Sequence, residues 1–376
     1  MKLDINSLIK NIDQAAKYDF DNKKVFGSAY YVFQEGNLEI EKCYGEMSLD
    51  TDAPITNTTL FRLASMTKPI TAVAALILIS RGLLSLDDTI DKYLPEFKNI
   101  HVVDFDGKDY MPKNIPTIRN LLNHSSGLGC NYDKMTDITD ADRQTIDSLM
   151  AKYLKWGLDF EPGTKQMYSG VAAFSVLTKI IELVSGCDYL DFLKKEIFEP
   201  CDMPNTTFVP SKAQREQLVK MHNRIDDKNK VHPMPEGCVF ESYPETNYLG
   251  GAGLISNLHD YCNFAKMLLN KGKFGDKVIV PEEVFVQMST PQISEEIMPG
   301  DARWGLGVRV ISKDSYPWLP VGAFGWSGAY GSHFWIDPVN KIFAVYMKNS
   351  RVDGGSANES ARKFESAVYS SFADEE

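Results

Sequence analysis

A serine and a lysine three residues apart, Ser65 and Lys68 in the run Ser65-Met66-Thr67-Lys68, are the pair in this sequence best placed to do chemistry. On a helix, positions three apart share a face, so hydroxyl and amine can meet. A serine hydroxyl is a poor nucleophile until a neighbouring base takes its proton. An amine serves as that base when desolvation or nearby charge lowers its pKa. A helix N-terminus adds a positive dipole end, which favours a developing oxyanion. Pro69 is compatible with a first helical turn. The alternative for Ser65 is an N-cap, whose hydroxyl accepts from otherwise unpaired N–H groups. The spacing alone is not specific, because Ser7 with Lys10 and Ser360 with Lys363 also satisfy it. Those two sit on ordinary amphipathic patterns. Ser65 instead precedes residues 72–79, which are apolar on every face and predict a buried helix ended at Gly82.

The elements that must hold this pair are legible on both sides of it. Residues 1–20 predict an amphipathic surface helix with Ile5, Leu8, Ile9 and Ile12 on one stripe. Residues 27–33 and 38–44, joined through Glu35, Gly36 and Asn37, predict a β-hairpin. The middle of the chain carries helical patterns at 118–122 and at 171–184, the second stopped by Gly186. Residues 226–247 are polar with three prolines and predict a long surface excursion. A helix follows through 261–269, then strands at 305–311, 332–336 and 342–347, then a final helix near 360–372. Strand-rich ends around a helical middle predict one mixed, mainly antiparallel sheet with a helical domain inserted into it.

Bulk properties narrow the function classes. The chain has 376 residues, 43% hydrophobic and 24% charged, enough to bury a large core without covalent staples. Its formal charge is −11, and an acidic surface is repelled by phosphate backbones, so no nucleic-acid partner is expected. No apolar stretch approaches the roughly 20 residues of a membrane span. The first residues lack an apolar signal core and a small-residue cleavage site, which predicts a cytoplasmic protein for a chain starting here. The six cysteines are scattered, without CxxC pairs, and are expected to be reduced and mostly buried. No HExxH, paired CxxC or carboxylate cluster implies a metal.

Five segments in chain order carry a resemblance. LFRLASMTKPITAVAALILISRGLLSLDDTIDKYLPEF contains Ser65 and Lys68; TIRNLLNHSSGL contains His124; EPGTKQMYSG contains Tyr168; GGAGLISNLHDYCNFAKMLL follows; FGWSGAYGSHFWIDP contains Trp326. Together they resemble the serine β-lactamase-related family, which includes class C β-lactamases, D-alanyl-D-alanine carboxypeptidases and family VIII carboxylesterases. Ser-x-x-Lys is itself a catalytic signature of β-lactamases and penicillin-binding proteins. The resemblance implies that Ser65 is the acylated nucleophile, Lys68 its base, and Tyr168 a proton relay, as phenolate or hydrogen-bonded phenol. It implies an oxyanion hole from the backbone N–H groups of Ser65 and Ala329. It places Trp326, Ser327 and Gly328 on a strand edge beside the substrate.

Two positions depart from the family pattern. Gly170 stands where a Tyr-x-Asn motif has asparagine, and Trp326 where β-lactamases carry lysine and related peptidases often histidine. Both changes remove polar groups that would hold a β-lactam, and tryptophan is more common in esterase-type members. Tyr168 can also be read as a core tyrosine and Trp326 as sheet packing. His124 and His333 read as structural. Arg351 could meet an anionic substrate, although a surface role fits it better. The expected fold is α/β, of the β-lactamase and transpeptidase type, with residues 1–86 and 248–376 forming the sheet domain and 87–247 the helical insert. The expected function is hydrolysis of small or medium acyl esters through a covalent Ser65 ester. The alternatives are a D-alanyl-D-alanine peptidase or weak β-lactamase, or a non-catalytic binding protein with a degraded site. No cofactor is required, because side chains and backbone N–H groups supply every step.

Overall fold

The computed structural model describes residues 1–225, 231–233 and 246–373. In chain order its main elements are helix α1 (Ile5–Asp21), strands β1 (Gly27–Gln34), β2 (Leu38–Ser48) and β3 (Thr51–Pro54), helices α2 (Thr67–Ser80), α3 (Ala172–Ser185) and α4 (Leu258–Leu269), strands β4 (Ala302–Trp304), β5 (Arg309–Ile311), β6 (Phe324–Ser327), β7 (Gly331–Asp337) and β8 (Ile342–Asn349), and helix α5 (Glu359–Tyr369). The eight strands form one sheet in the order β4-β5-β6-β7-β8-β1-β2-β3. Every described pairing in it is antiparallel, in line with the mainly antiparallel sheet expected and without the parallel pair that a mixed sheet would add. The reason lies in the connections. Both runs of strands are consecutive in sequence, and short links return the chain in the opposite direction. The N-terminal run then closes onto the C-terminal one through β1 and β8.

Strand β8 shows how the sheet divides the molecule. Ile342, Ala344 and Tyr346 face one side, Phe343, Val345 and Met347 the other, and all are buried. The period of two feeds two separate cores. The first side is covered by α1 and α5 through Leu8, Ile12, Phe364 and Val368. The helix α1 packs as expected, but Ile5 is exposed, because the buried stripe runs through Leu8, Ile12, Ala15 and Ala16. The second side is covered by α2 and α4. Residues Thr67 to Leu78 of α2 are all buried, so its all-round apolarity reads directly as burial. Gly82 follows it with φ +69°, and Gly186 ends α3 with φ +69°, both in the left-handed region where glycine carries no Cβ penalty. Helix α3 packs against α2, so the middle of the chain shares this second core.

One strand differs from expectation. Residues 305–311 are not continuous: β4 ends at Trp304, β5 starts at Arg309, and Gly305 N–H closes the turn on Val308 O at 2.9 Å. Gly307 in that turn has φ +71°, and a Cβ there would lie 2.7 Å from Ala72 Cβ. The turn therefore seats against α2 only as glycine. The expected excursion at 226–247 falls mostly outside the described residues; within it, Val231–Pro233 pairs with His222–Ile225. Of the cysteines, Cys130, Cys201 and Cys262 are buried, Cys43 is half-buried and Cys187 exposed, all as free thiols, and Cys238 lies outside the described residues. No helix is long and apolar enough to cross a membrane among the described residues.

Gly331 opens β7 with φ +94°, and a Cβ there would sit 1.8 Å from Lys348 Cε and 2.9 Å from Asp353 O. Overpacking of this kind together with a left-handed backbone costs about 2–4 kcal/mol. Gly331→Ala is expected to lower the denaturant midpoint accordingly, with an unchanged m-value; an unshifted midpoint would show that the β7 entrance yields freely.

Candidate active site

Ser65 lies in a single 3-10 turn, Ala64–Met66, that runs into α2. The residue before it, Ala64, has φ +46°, a left-handed value that is strained for a residue with a Cβ. Lys68 is one helical turn on and fully buried. Its Nζ lies 2.7 Å from Gly170 O, 2.8 Å from Gly251 O and 3.3 Å from Ser65 Oγ. It also stands 5.0 Å from the Tyr168 ring centre and 5.2 Å from that of Phe174. Burial lowers its pKa to about 7, and no carboxylate offsets that among the described residues. A neutral amine has two N–H bonds and one lone pair. If the two carbonyls take the N–H bonds, the lone pair is left for the Ser65 hydroxyl.

Tyr168 lies in the same cleft as Ser65. Its hydroxyl accepts from Trp326 Nε1 at 3.2 Å. Burial raises its pKa, and hydrogen bonding to Ser65 and Trp326 offsets only part of the rise. The side chain is therefore a phenol at neutral pH. His124, which also has a left-handed φ of +60°, packs its ring 4.5 Å from that of Tyr168. Its Nδ1 accepts from Ser169 N at 3.1 Å. Burial first, and the nearby Lys68 second, push its pKa well down, so His124 is neutral and clamps the residue beside Tyr168.

The third motif meets Ser65 from the sheet. Strand β6 ends at Ser327, and a Cβ on Gly328 would lie 2.5 Å from Leu63 O. The missing side chain lets this strand end close on the backbone just ahead of Ser65. Ser65, Tyr168, Trp326, Ser327 and Ala329 all line one cleft of about 380 Å³. Gly170 and Gly328 act through backbone approach instead: Gly170 gives its carbonyl to Lys68. Arg351 is exposed and is not among the cleft residues. The literal Tyr-x-Asn of α4 is structural, since Tyr261 donates to Met66 O at 2.9 Å and is buried. The competing Ser360–Lys363 pair also dissolves. The Ser360 hydroxyl is buried and bonded to Asp19, Asp353 and Lys348, not to Lys363.

Sequence reading missed Gln166, Met298, Trp304 and Arg309 in the cleft wall. Trp304 and Arg309 flank the β4–β5 turn, and no local pattern marks that turn as reaching the site. It also missed Tyr132. A Cβ on Gly170 would lie 3.2 Å from Tyr132 Oη and 3.3 Å from its ring. The phenol of Tyr132 therefore fills the space a larger residue at 170 would need. Among the described residues no cluster of three or more His, Cys, Asp or Glu side chains could hold a metal ion.

Compared with known proteins, the chain matches the family described as Beta-lactamase over residues 7–367. It is 27% identical over 389 residues to esterase EstB of Burkholderia gladioli, covering 94% of this chain and 93% of that one. It is 26% identical over 357 residues to a putative D-alanyl-D-alanine carboxypeptidase of Salmonella agona, covering 89% of this chain and 79% of that one. Among solved structures it is similar to EstCE1, described as a hydrolase with promiscuous acyltransferase activity, with TM-score 0.82, 23% identity, and coverage of 97% and 99%. At that identity the likeness speaks to the fold.

The Tyr132–Gly170 contact makes the two positions interdependent. Gly170→Asn is expected to destabilise by about 1 kcal/mol at most, less than in a closed core, because Tyr132 is 55% exposed and its ring can shift. Tyr132→Ala should recover most of that loss in the double variant, a coupling that a double-mutant cycle on denaturant midpoints measures. Purely additive effects would show that the two side chains do not compete for space.

Proposed function

The chain belongs to the Beta-lactamase family of serine hydrolases, and from that membership we propose that it is a carboxylesterase acting on small or medium acyl esters through an acyl-Ser65 intermediate. The observation that carries this reading is the Lys68 amine, buried and held between two carbonyls with Ser65 Oγ 3.3 Å away. In the proposed reaction, Lys68 takes the Ser65 proton as the hydroxyl attacks the ester carbonyl. The oxyanion accepts the backbone N–H groups of Ser65 and Ala329. Tyr168, as a neutral phenol, passes a proton toward the departing alkoxide, and Lys68 replenishes it. Water then enters, gives its proton along the same path in reverse, and releases the acid. Residues 87–247, read as the inserted unit, contribute Tyr168 to this site.

Trp326 supports ester over lactam. A lysine there would set a second cation beside the phenol; tryptophan offers apolar area and one N–H donor. That N–H is already given to Tyr168. The relative EstB is named as an esterase, in line with this reading. Arg309 favours a second reading, a peptidase or weak β-lactamase. It is a cation in the cleft wall that could meet a substrate carboxylate.

Three measurements test the proposal. Intact mass after fluorophosphonate treatment should show one adduct, absent from Ser65→Ala. The same preparation should hydrolyse short p-nitrophenyl esters and turn over nitrocefin slowly or not at all. Undiminished labelling of Ser65→Ala would sink the nucleophile assignment, and lactam turnover above ester turnover would sink the esterase assignment alone. The third measurement is pH dependence. The working base is the neutral amine, which predominates above its folded pKa of about 7. Ester kcat/KM should therefore rise with pH through about 7 and then level off. A profile flat from pH about 5 to 9 would contradict an amine base with a pKa in that window.

A further inference from the structure

Behind the third motif runs a chain of five polar side chains that none of the steps above uses. Arg309 donates to Tyr316 Oη at 3.0 Å, and Tyr316 donates to Glu365 Oε2 at 3.3 Å. Glu365 Oε1 lies 3.0 Å from His333 Nε2, and His333 Nδ1 lies 2.8 Å from Ser327 Oγ. His333 and Ser327 face each other across β7 and β6, and Glu365 reaches them from α5. His333, Glu365 and Ser327 are all buried. Only Arg309 and Ser327, the two ends, line the cleft that holds Ser65.

The direction of every bond in this chain follows from its first member once His333 is taken as a neutral imidazole with a single N–H. A guanidinium is donor-only. Tyr316 therefore accepts from Arg309 and turns its own proton to Glu365. A carboxylate accepts only, so His333 must present Nε2–H to it. That leaves Nδ1 as a lone pair, which takes the Ser327 proton. The Ser327 oxygen is then left with lone pairs alone to offer the cleft. We propose that Glu365 and His333 are positioning residues that fix Ser327 as a hydrogen-bond acceptor, and that the site selects acyl groups carrying a neutral donor, such as a hydroxyl, near the ester carbonyl. This rests on the esterase reading and names its substrate class.

Glu365→Gln reverses the chain without emptying it. Tyr316 still donates, so it claims the amide oxygen, and the amide NH₂ turns to His333 Nε2. The imidazole proton moves to Nδ1 and donates to Ser327, whose own proton is released toward the cleft. The test compares 4-nitrophenyl 3-hydroxybutyrate, which offers a donor, with the 3-methoxy analogue, which only accepts. The wild-type ratio of kcat/KM should favour the hydroxy ester, and Glu365→Gln should lower that ratio about threefold to tenfold, the worth of one net hydrogen bond. The ratio cancels any general loss of activity in a damaged variant. In parallel, ¹⁵N-histidine NMR of the wild-type protein should show His333 with a protonated Nε2 and a bare Nδ1, its signals assigned by their absence from His333→Gln. A proton on Nδ1 in the wild type, or a substrate ratio that Glu365→Gln leaves unmoved, overturns the proposal. Absence of turnover for both esters defeats the esterase reading, and with it the substrate class named here, whereas the NMR result still separates that failure from an error in the hydrogen-bond direction.

Discussion

A lysine amine taken fully out of water, with carbonyl oxygens for company and no carboxylate among the described residues, is the constraint around which the molecule is arranged. Burying a charge without a partner is costly, so such a group sheds its proton. The two carbonyls come from distant parts of the chain, Gly170 ahead of α3 and Gly251 ahead of α4. Gly251 is narrow for the same reason: a Cβ there would lie 3.3 Å from the amine and 3.1 Å from Phe174 Cβ. Helix α2 must be apolar all round because it runs through the middle of the core that keeps water away from this amine. Its apolarity is thus as much a requirement of the chemistry as of the fold.

The parts of the fold that were legible are those whose cause is local. The buried helix after Ser65, the hairpin at residues 27–48 and the stops at Gly82 and Gly186 each follow from side chains next to one another in sequence. The helix at Ile118–Leu122 appears at its expected bounds. Ser65, Lys68 and Tyr168 were legible because collinear motifs carry them. What escaped depends on contacts made across the fold. Arg309 reaches the cleft only because a glycine turn seats on α2, and His333 meets Ser327 only through the β6–β7 register. Gly170 read as a loss of polar recognition, yet the space beside it is taken by Tyr132, some forty positions earlier in the chain.

The Ala329 side of the cleft has its own support. Gly354 backs onto Ala329 so closely that a Cβ there would lie 2.2 Å from Ala329 O, and Gly355 N–H bonds Gly328 O at 3.2 Å. The same segment is tied down through Asp353. It accepts from Ser360, whose hydroxyl also meets Asp19 at 2.8 Å and Lys348 at 3.1 Å. Burial lowers the Lys348 amine to about 8, with Asp353 and Asp19 drawing it back up. Helices α1 and α5, remote from Ser65, therefore anchor the backbone that faces it.

The burial of Lys68 also ties the folding equilibrium to the proton concentration. The amine titrates near 10.5 when exposed and near about 7 in the folded chain, so across that window the unfolded state holds more protons than the native one. Folding at neutral pH therefore expels hydrogen ions from this position, and stability rises with pH until the exposed amine is neutral too. Lys348 works in the same direction over the upper part of the window. Acidification drives the proton back onto an amine that has no water to solvate it, so the protein loses cohesion and its proposed base under the same conditions. Both buried amines thus favour the folded chain more as the solution turns mildly alkaline.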